Sequence, residues 1–273
     1  MTVFRSRPWR PAVLSAAIVA TCARGAGINT DVALTPPLGG VILRVQFRYS
    51  RLFDDPTPQG RVVHRIVQPI TLAYGATERL ALIGTVPVVY RRVEFGSGGS
   101  TSETGIGDIP VRAKFRFYQK DELGKTTRWA AIAGLEIPTF DSAFSSDSVD
   151  PIIGTVWTHQ EQQWWLDWDL IVKLNTAGGL AGDDEFFADV AWSHRIVGGE
   201  GADVEPWGLY GLLELNGRYI TDGSVELFGS PGIQFITPDF IVEAGVQLPM
   251  VRSMKSPRLS TDYTVILSVR FQF

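Results

Sequence analysis

The chain has 273 residues, with 25 Lys and Arg against 29 Asp and Glu, and 45% of its residues are hydrophobic. That apolar content excludes intrinsic disorder, and the single cysteine, Cys22, excludes an intramolecular disulfide or a cysteine metal cluster. A formal net charge of −4 argues against a nucleic-acid partner, and past the N-terminus no apolar run reaches the ~20 residues of a spanning helix.

Taken in chain order, residues 1–25 read as a cleaved secretory signal, leaving 26–273 as the mature chain. Arg5, Arg7 and Arg10 form a positive start, residues 12–20 supply a short apolar stretch, and Thr21, Ala23 and Gly25 suit cleavage after Ala23 or Gly25. The signal carries four arginines and no acid, so the mature chain is more acidic still.

Period-two alternation follows. In 41–49, Val41, Leu43, Val45, Phe47 and Tyr49 alternate with Arg44, Gln46 and Arg48. In 109–117, Ile109, Val111, Ala113, Phe115 and Phe117 alternate with Arg112, Lys114 and Arg116. In 164–174, Trp164, Leu166, Trp168, Leu170, Val172 and Leu174 oppose Asp167, Asp169 and Lys173. In 242–250, Val242, Ala244, Val246, Leu248 and Met250 oppose Glu243 and Gln247. In 263–273, Tyr263, Val265, Leu267, Val269, Phe271 and Phe273 oppose Ser268, Arg270 and Gln272. A helix would scatter these charges around its circumference, whereas a strand sorts them onto one face.

Weaker segments at 62–75, 80–95, 128–138, 152–160, 186–197, 206–218 and 227–237 fill the gaps. The total is about twelve strands, each near the ~10 residues that a tilted strand needs to cross a bilayer. The expected fold is all-β, a closed antiparallel transmembrane barrel of up-and-down topology. Connections at 54–60, 96–105, 139–151, 176–185, 219–226 and 252–262 are mostly long and polar. Those at 76–79, 120–127, 161–163, 198–205 and 238–240 are shorter, the asymmetry of an outer-membrane barrel. Aromatic residues follow the same parity: Tyr74, Phe117, Trp129, Trp164, Trp207 and Phe273 at the short-turn rim, Tyr49, Tyr90 and Tyr263 at the other. Two such belts suit the two headgroup levels. A soluble sandwich would also alternate, with its apolar face as core; the export signal, the uniform strand length and the apolar alternation ending on Phe273 favour the barrel.

If the apolar faces meet lipid, the others line a lumen. It would hold Arg44, Arg48, Arg112, Lys114, Arg116, Lys173, Arg195, Arg218 and Arg270, with the acids Glu136, Asp167, Asp169, Asp189, Glu214 and Glu243. Charges this dense require water or one another, so the lumen is either a polar conduit or a salt-bridged plug. Asp54, Asp55, Glu103, Asp141, Asp147, Asp150, Asp183, Asp184 and Glu185 fall in the long connections as solvated tips. Gly105–Pro110 and Gly229–Gly232 are expected to bend or thin the wall, because Gly and Pro interrupt ladder pairing. A lateral route for hydrophobic solutes would lie near such a break.

Several phrases carry a family resemblance: Gly105-Ile-Gly-Asp108-Ile-Pro, Leu135-Glu-Ile-Pro-Thr139, Glu214-Leu-Asn216-Gly, Gly229-Ser-Pro-Gly232-Ile-Gln and Glu243-Ala-Gly-Val-Gln247-Leu-Pro. They resemble the outer-membrane barrel family named after a putative component of phenol degradation (meta-pathway), often described as a transporter. The resemblance implies passage of small molecules, including hydrophobic or aromatic ones, and transfers no individual functional residue. The competing class is a sealed structural or receptor-like barrel. A hydrolase finds no support: Ser193 and His194 are adjacent and so point to opposite faces of a strand, and no nucleophile elbow or metal-ligand spacing occurs. No cofactor is expected. The partners expected are outer-membrane lipid and lipopolysaccharide, and the outer-membrane assembly machinery through the C-terminal strand.

Overall fold

The computed structural model describes residues 27–139, 143–177, 182–198 and 207–273. The expected signal, together with Asp141, lies outside the described residues. Thirteen strands appear: β1 (Val41–Phe53), β2 (Val62–Gly75), β3 (Leu80–Glu94), β4 (Ser100–Ile106), β5 (Ile109–Glu122), β6 (Lys125–Ile137) and β7 (Asp150–Glu161). They continue with β8 (Trp164–Lys173), β9 (Glu185–Gly198), β10 (Gly208–Ile220), β11 (Val225–Ile236), β12 (Phe240–Ser253) and β13 (Ser260–Gln272).

Apart from β4 and β5, which both pair with β3, each strand pairs antiparallel with its chain neighbours, and β1 pairs with β13, so the sheet closes on itself. β4 and β5 are two pieces of one wall strand. The upper half of β3 pairs with β4, from Val88 opposite Ile106 to Glu94 opposite Ser100. Its lower half pairs with β5, from Leu80 opposite Phe115 to Gly84 opposite Val111. The protein is therefore a closed twelve-strand antiparallel barrel.

Closure decides which face of each strand is apolar. Large apolar side chains are solvent-accessible all around the outside: Phe47 and Leu72 on β1 and β2, Phe115 and Ile153 on β5 and β7, Leu170 and Val190 on β8 and β9, Leu213, Val242 and Leu267 on β10, β12 and β13. No water-soluble domain exposes so continuous an apolar band. In-register partners on the other face, such as Arg44, Asp169, Glu214, Glu243 and Arg270, point inward. The three described histidines are on the outward face. His64 meets the Tyr49 hydroxyl at 2.8 Å, His159 meets the Thr127 hydroxyl at 2.8 Å, and His194 stacks on Trp192.

Aromatic residues gather at both rims of this surface. Phe117 lies 6.0 Å from Trp129, Trp207 lies 5.7 Å from Phe235, and Trp164 lies 5.4 Å from His159 at the end carrying the short turns. Tyr74 and Phe273 are exposed at that same end. Tyr49 and Tyr263 meet at 6.0 Å near the opposite, loop end, where Tyr90 also lies, opposite Ile66 and Thr104.

Two expected long connections differ from expectation. The stretch 96–105 contains β4, and 219–226 is a tight turn in which Gly223 takes φ +90°. Three residues expected at loop tips are strand residues: Glu103 lies within β4, Asp150 opens β7 and is fully buried, and Glu185 opens β9 and faces inward. Glu103 and Glu185 meet cations, while Asp150 accepts from the Ser148 hydroxyl and the Thr176 N–H at 2.8 Å each.

Candidate functional site: a plugged lumen with two cavities

Residues 27–40, which show no periodicity, do not join the wall. They cross the lumen as an extended plug before β1 begins, and the charged inner faces hold them. The Glu214 carboxylate on β10 accepts from the backbone N–H of Ile28, from that of Asn29 at 3.0 Å and from the Asn29 amide at 2.8 Å. Asp169 on β8 accepts from the Asp31 N–H at 2.6 Å, and Thr158 on β7 accepts from Ala33 at 3.0 Å. The Asp31 carboxylate pairs with Arg112 at 2.9 Å and Lys114 at 3.1 Å, both on β5. Arg44 and Gln46 on β1 donate to the Ile28 carbonyl.

Apolar contacts complete the seat. Ala33 packs on Ala130, Ile132 and Val156, the inward side chains of β6 and β7. Ile28 enters a notch made by Gly232 and Gly245, which are opposite one another on β11 and β12. A Cβ at Gly232 would stand 2.7 Å from the Ile28 Cδ1, and one at Gly245 3.0 Å. These glycines lack side chains where the plug approaches most closely.

The fifteen side chains expected inside do different things. Glu243 binds Arg44 at 2.6 Å and Arg270 at 2.5 Å. Asp167 accepts from Thr158 at 2.6 Å. Lys173 joins Glu136 at 2.9 Å and Glu185 at 3.4 Å, and Glu185 joins Arg218 at 2.8 Å. Asp189 lines the inner cavity. Arg116 donates to the Glu78 carbonyl at the turn end, 2.6 Å away, and Arg195 donates to the Tyr210 hydroxyl at 2.8 Å. Beside Arg195, an inward apolar cluster of Trp165, Tyr210, Ile236 and Ile241 fills the turn end of β8–β12.

Space remains alongside the plug. An inner cavity of about 810 Å³ lies between the plug and β1–β3, β5 and β8, and an outer vestibule of about 970 Å³ opens toward the loop end. Glu136 and Lys173 line both and mark the neck between them. The vestibule is lined on one side by residues 143–146, where Phe144 lies under the Arg91 guanidinium at 5.0 Å. Asp108 anchors the 138–149 connection, accepting from the backbone N–H of Thr139 at 3.2 Å and of Ser146 at 2.7 Å.

The wall of β2 and β3 departs from the expected polar lining. Its inward register pairs are Val63 with Val93, Arg65 with Arg91, Val67 with Val89, Pro69 with Pro87, Thr71 with Thr85, Ala73 with Ile83 and Gly75 with Ala81. Apolar residues thus occupy both faces of these strands, which is why 62–75 and 80–95 alternate weakly in sequence. The inward row runs from the vestibule past the neck into the inner cavity as a largely apolar strip, broken by Arg65–Arg91 and by Thr71–Thr85, in a charged lumen.

Both expected breaks in the wall are present. Gly107 and Asp108 leave the ladder between β4 and β5, and the one hydrogen bond bridging β3 there runs from the Gly107 N–H to the Pro87 carbonyl at 2.9 Å. Ser230 and Pro231 leave the β11–β12 ladder, which resumes at Gly232. Ile28 covers this second break from inside, while the first opens beside the vestibule.

Comparisons agree with this architecture. The sequence matches the family described as the putative MetA-pathway of phenol degradation over residues 60–250. Among curated proteins none matches. Among solved structures, an outer-membrane channel from Pseudomonas putida F1 is similar at a TM-score of 0.62, with 15% identity over 92% of this chain and 100% of that one. The β domain of the Bordetella autotransporter BrkA gives a TM-score of 0.48, 11% identity and coverage of 86% and 100%. The Ralstonia pickettii toluene transporter TbuX gives 0.40, 8% identity and coverage of 89% and 91%.

Proposed function

Since the chain belongs to the family described as the putative MetA-pathway of phenol degradation, we propose that it is an outer-membrane channel for small, largely hydrophobic or aromatic molecules, gated by its own plug. The short turns face the periplasm and the long connections the exterior. One observation carries the reading: the inner face of β2–β3 presents a largely apolar strip to both cavities, interrupted at Arg65–Arg91 and Thr71–Thr85, in a lumen otherwise lined mostly by ion pairs. An apolar solute gains nothing from the charged walls but loses its water on the strip, at roughly 25 cal/mol per Å² buried.

Entry follows either the loop end or the seam at Gly107–Asp108. There the wall has lost ladder bonds, and Pro87 and Asp108 border the vestibule. Passage requires no chemical step, and the outward-facing histidines cannot serve one in the lumen. β13, ending at Phe273, is the segment offered to the assembly machinery, and the outward band is covered by lipid. The fold of the P. putida channel supports the location.

The plug favours a second reading, a sealed barrel. Reconstitution separates the two. A channel gives unitary currents in planar bilayers and admits benzyl alcohol into liposomes faster than protein-free controls. Silence in both assays, for the whole protein and for a variant lacking 27–36, would leave only the sealed barrel.

A further inference from the structure

Inward-facing cations in this lumen are, as a rule, neutralised. Arg44, Arg112, Lys114, Lys173, Arg218 and Arg270 each have a carboxylate within salt-bridge distance. Arg48 and Arg65 do not. Arg48 on β1 donates to the Gln247 amide oxygen at 3.1 Å and has no carboxylate within salt-bridge distance among the described residues. Arg65 on β2 makes no hydrogen bond or ion pair with any described residue and is more than a third exposed to the lumen.

The register places these two side by side. Arg48 is opposite Val67 and Ser50 opposite Arg65, so the arginines stand one inward step apart on adjacent strands. Arg48 lines the inner cavity and Arg65 the vestibule, so the pair straddles the neck. Arg91, opposite Arg65, is already bound to Glu103 at 2.5 Å. On the far side of the neck, Glu136, Glu185 and Glu226 are linked through Lys173 and Arg218, three carboxylates against two cations. Arg48 and Arg65 stand opposite these groups with no carboxylate in direct contact.

We propose that Arg48 and Arg65 form a binding site for a single carboxylate carried on an aryl or short alkyl body, so that the channel selects amphipathic organic monoanions. This rests on the channel reading above and names its substrate class. Guanidinium groups match a carboxylate in shape as well as charge. Val67, Pro69, Pro87 and Val89 flank them on the apolar strip and take the body of the solute. A neutral hydrocarbon would leave both guanidinium groups without a directly bound carboxylate. A dianion would bring its second charge against Glu136, Glu185 and Glu226.

The test uses purified full-length protein in detergent, with benzoate and its neutral analogue benzyl alcohol as probes, titrated by calorimetry and by liposome uptake. Wild type is expected to bind benzoate more tightly than benzyl alcohol. The Arg48→Gln/Arg65→Gln variant should lose about tenfold in benzoate affinity, the scale of one charge-assisted contact, with benzyl alcohol unmoved. Arg65→Lys should retain most of the binding. Equal benzoate affinity in wild type and the double variant, or no preference for benzoate in wild type, would overturn the site. KCl conductance of the same wild-type preparation reads the channel separately. Current without benzoate preference removes this site alone, while benzoate preference without current retains it and removes the conduit.

Discussion

Single residues in this protein do work that their type alone does not announce. Ile28 fits its notch only because positions 232 and 245 have no side chain. Gly232→Val should therefore unseat Ile28, at about the 1.5–3 kcal/mol that burying such a side chain contributes. Protease cleavage within 27–36 should rise, and Ile28→Ala in the same chain should restore part of the protection. At the loop end, Asp55 accepts from the Arg61 side chain and backbone at 2.8 Å and from the Thr57 N–H at 3.0 Å. The Arg61 side-chain contacts, joined by those backbone donors, hold its carboxyl well below the ordinary carboxylate range. A depressed carboxyl stabilises above the ordinary value and ceases to do so only as pH falls through the depressed one. Amide exchange at Arg61 should thus stay slow from neutral pH to below about 4, and should be fast at all pH values in Asp55→Asn.

Strands, loops and the plug respond as units. Deleting 27–36 should raise KCl conductance severalfold while the barrel keeps its heat-modifiable mobility on gels. Asp31→Ala should do the same more weakly, because it strands Arg112 and Lys114 at a cost of about 1–3 kcal/mol. Asp108→Ala should release the 138–149 connection from the seam, speeding benzyl alcohol uptake more than it changes KCl current. Equal changes in both would assign that connection to the axial path. The strands themselves were legible where one face is charged: 41–49 and 109–117 lie within β1 and β5, and 263–273 overruns the end of β13 by one residue. The plug was not, because it is held by contacts with residues such as Glu214, 186 positions away, and shows no local period. Arg65 and Arg91 were hidden for another reason. They sit among valines and prolines in β2 and β3, where both faces are apolar and alternation gives no sign of which side is inside. The inward direction of Glu214 and Glu243 could be read, but not the partners that occupy them.

Across the whole molecule, the outward band decides the environment. The protein should remain monodisperse in detergent or lipid and aggregate when detergent is withdrawn. A stable detergent-free monomer on a sizing column would refute the barrel's orientation toward lipid. The loop end is also tied together. Arg258 bridges Asp183 and Asp222 at 2.7 Å each, and Arg61 donates to the Pro257 carbonyl at 3.2 Å. Five connections thus share one collar of polar bonds, since the Gly96 N–H also reaches the Gln59 carbonyl at 3.0 Å, and Thr176 of this collar donates to the Val149 carbonyl at 3.1 Å.

The seat of Ile28 and Asn29 has a temporal consequence. Its walls come from the first strand and from all of the last four, so no partly assembled chain owns it. Newly made protein can bury that leading stretch only once the ring is complete. Protection of residues 27–36 from an added protease is consequently a clock for the final step of biogenesis, running in the molecule without any added label.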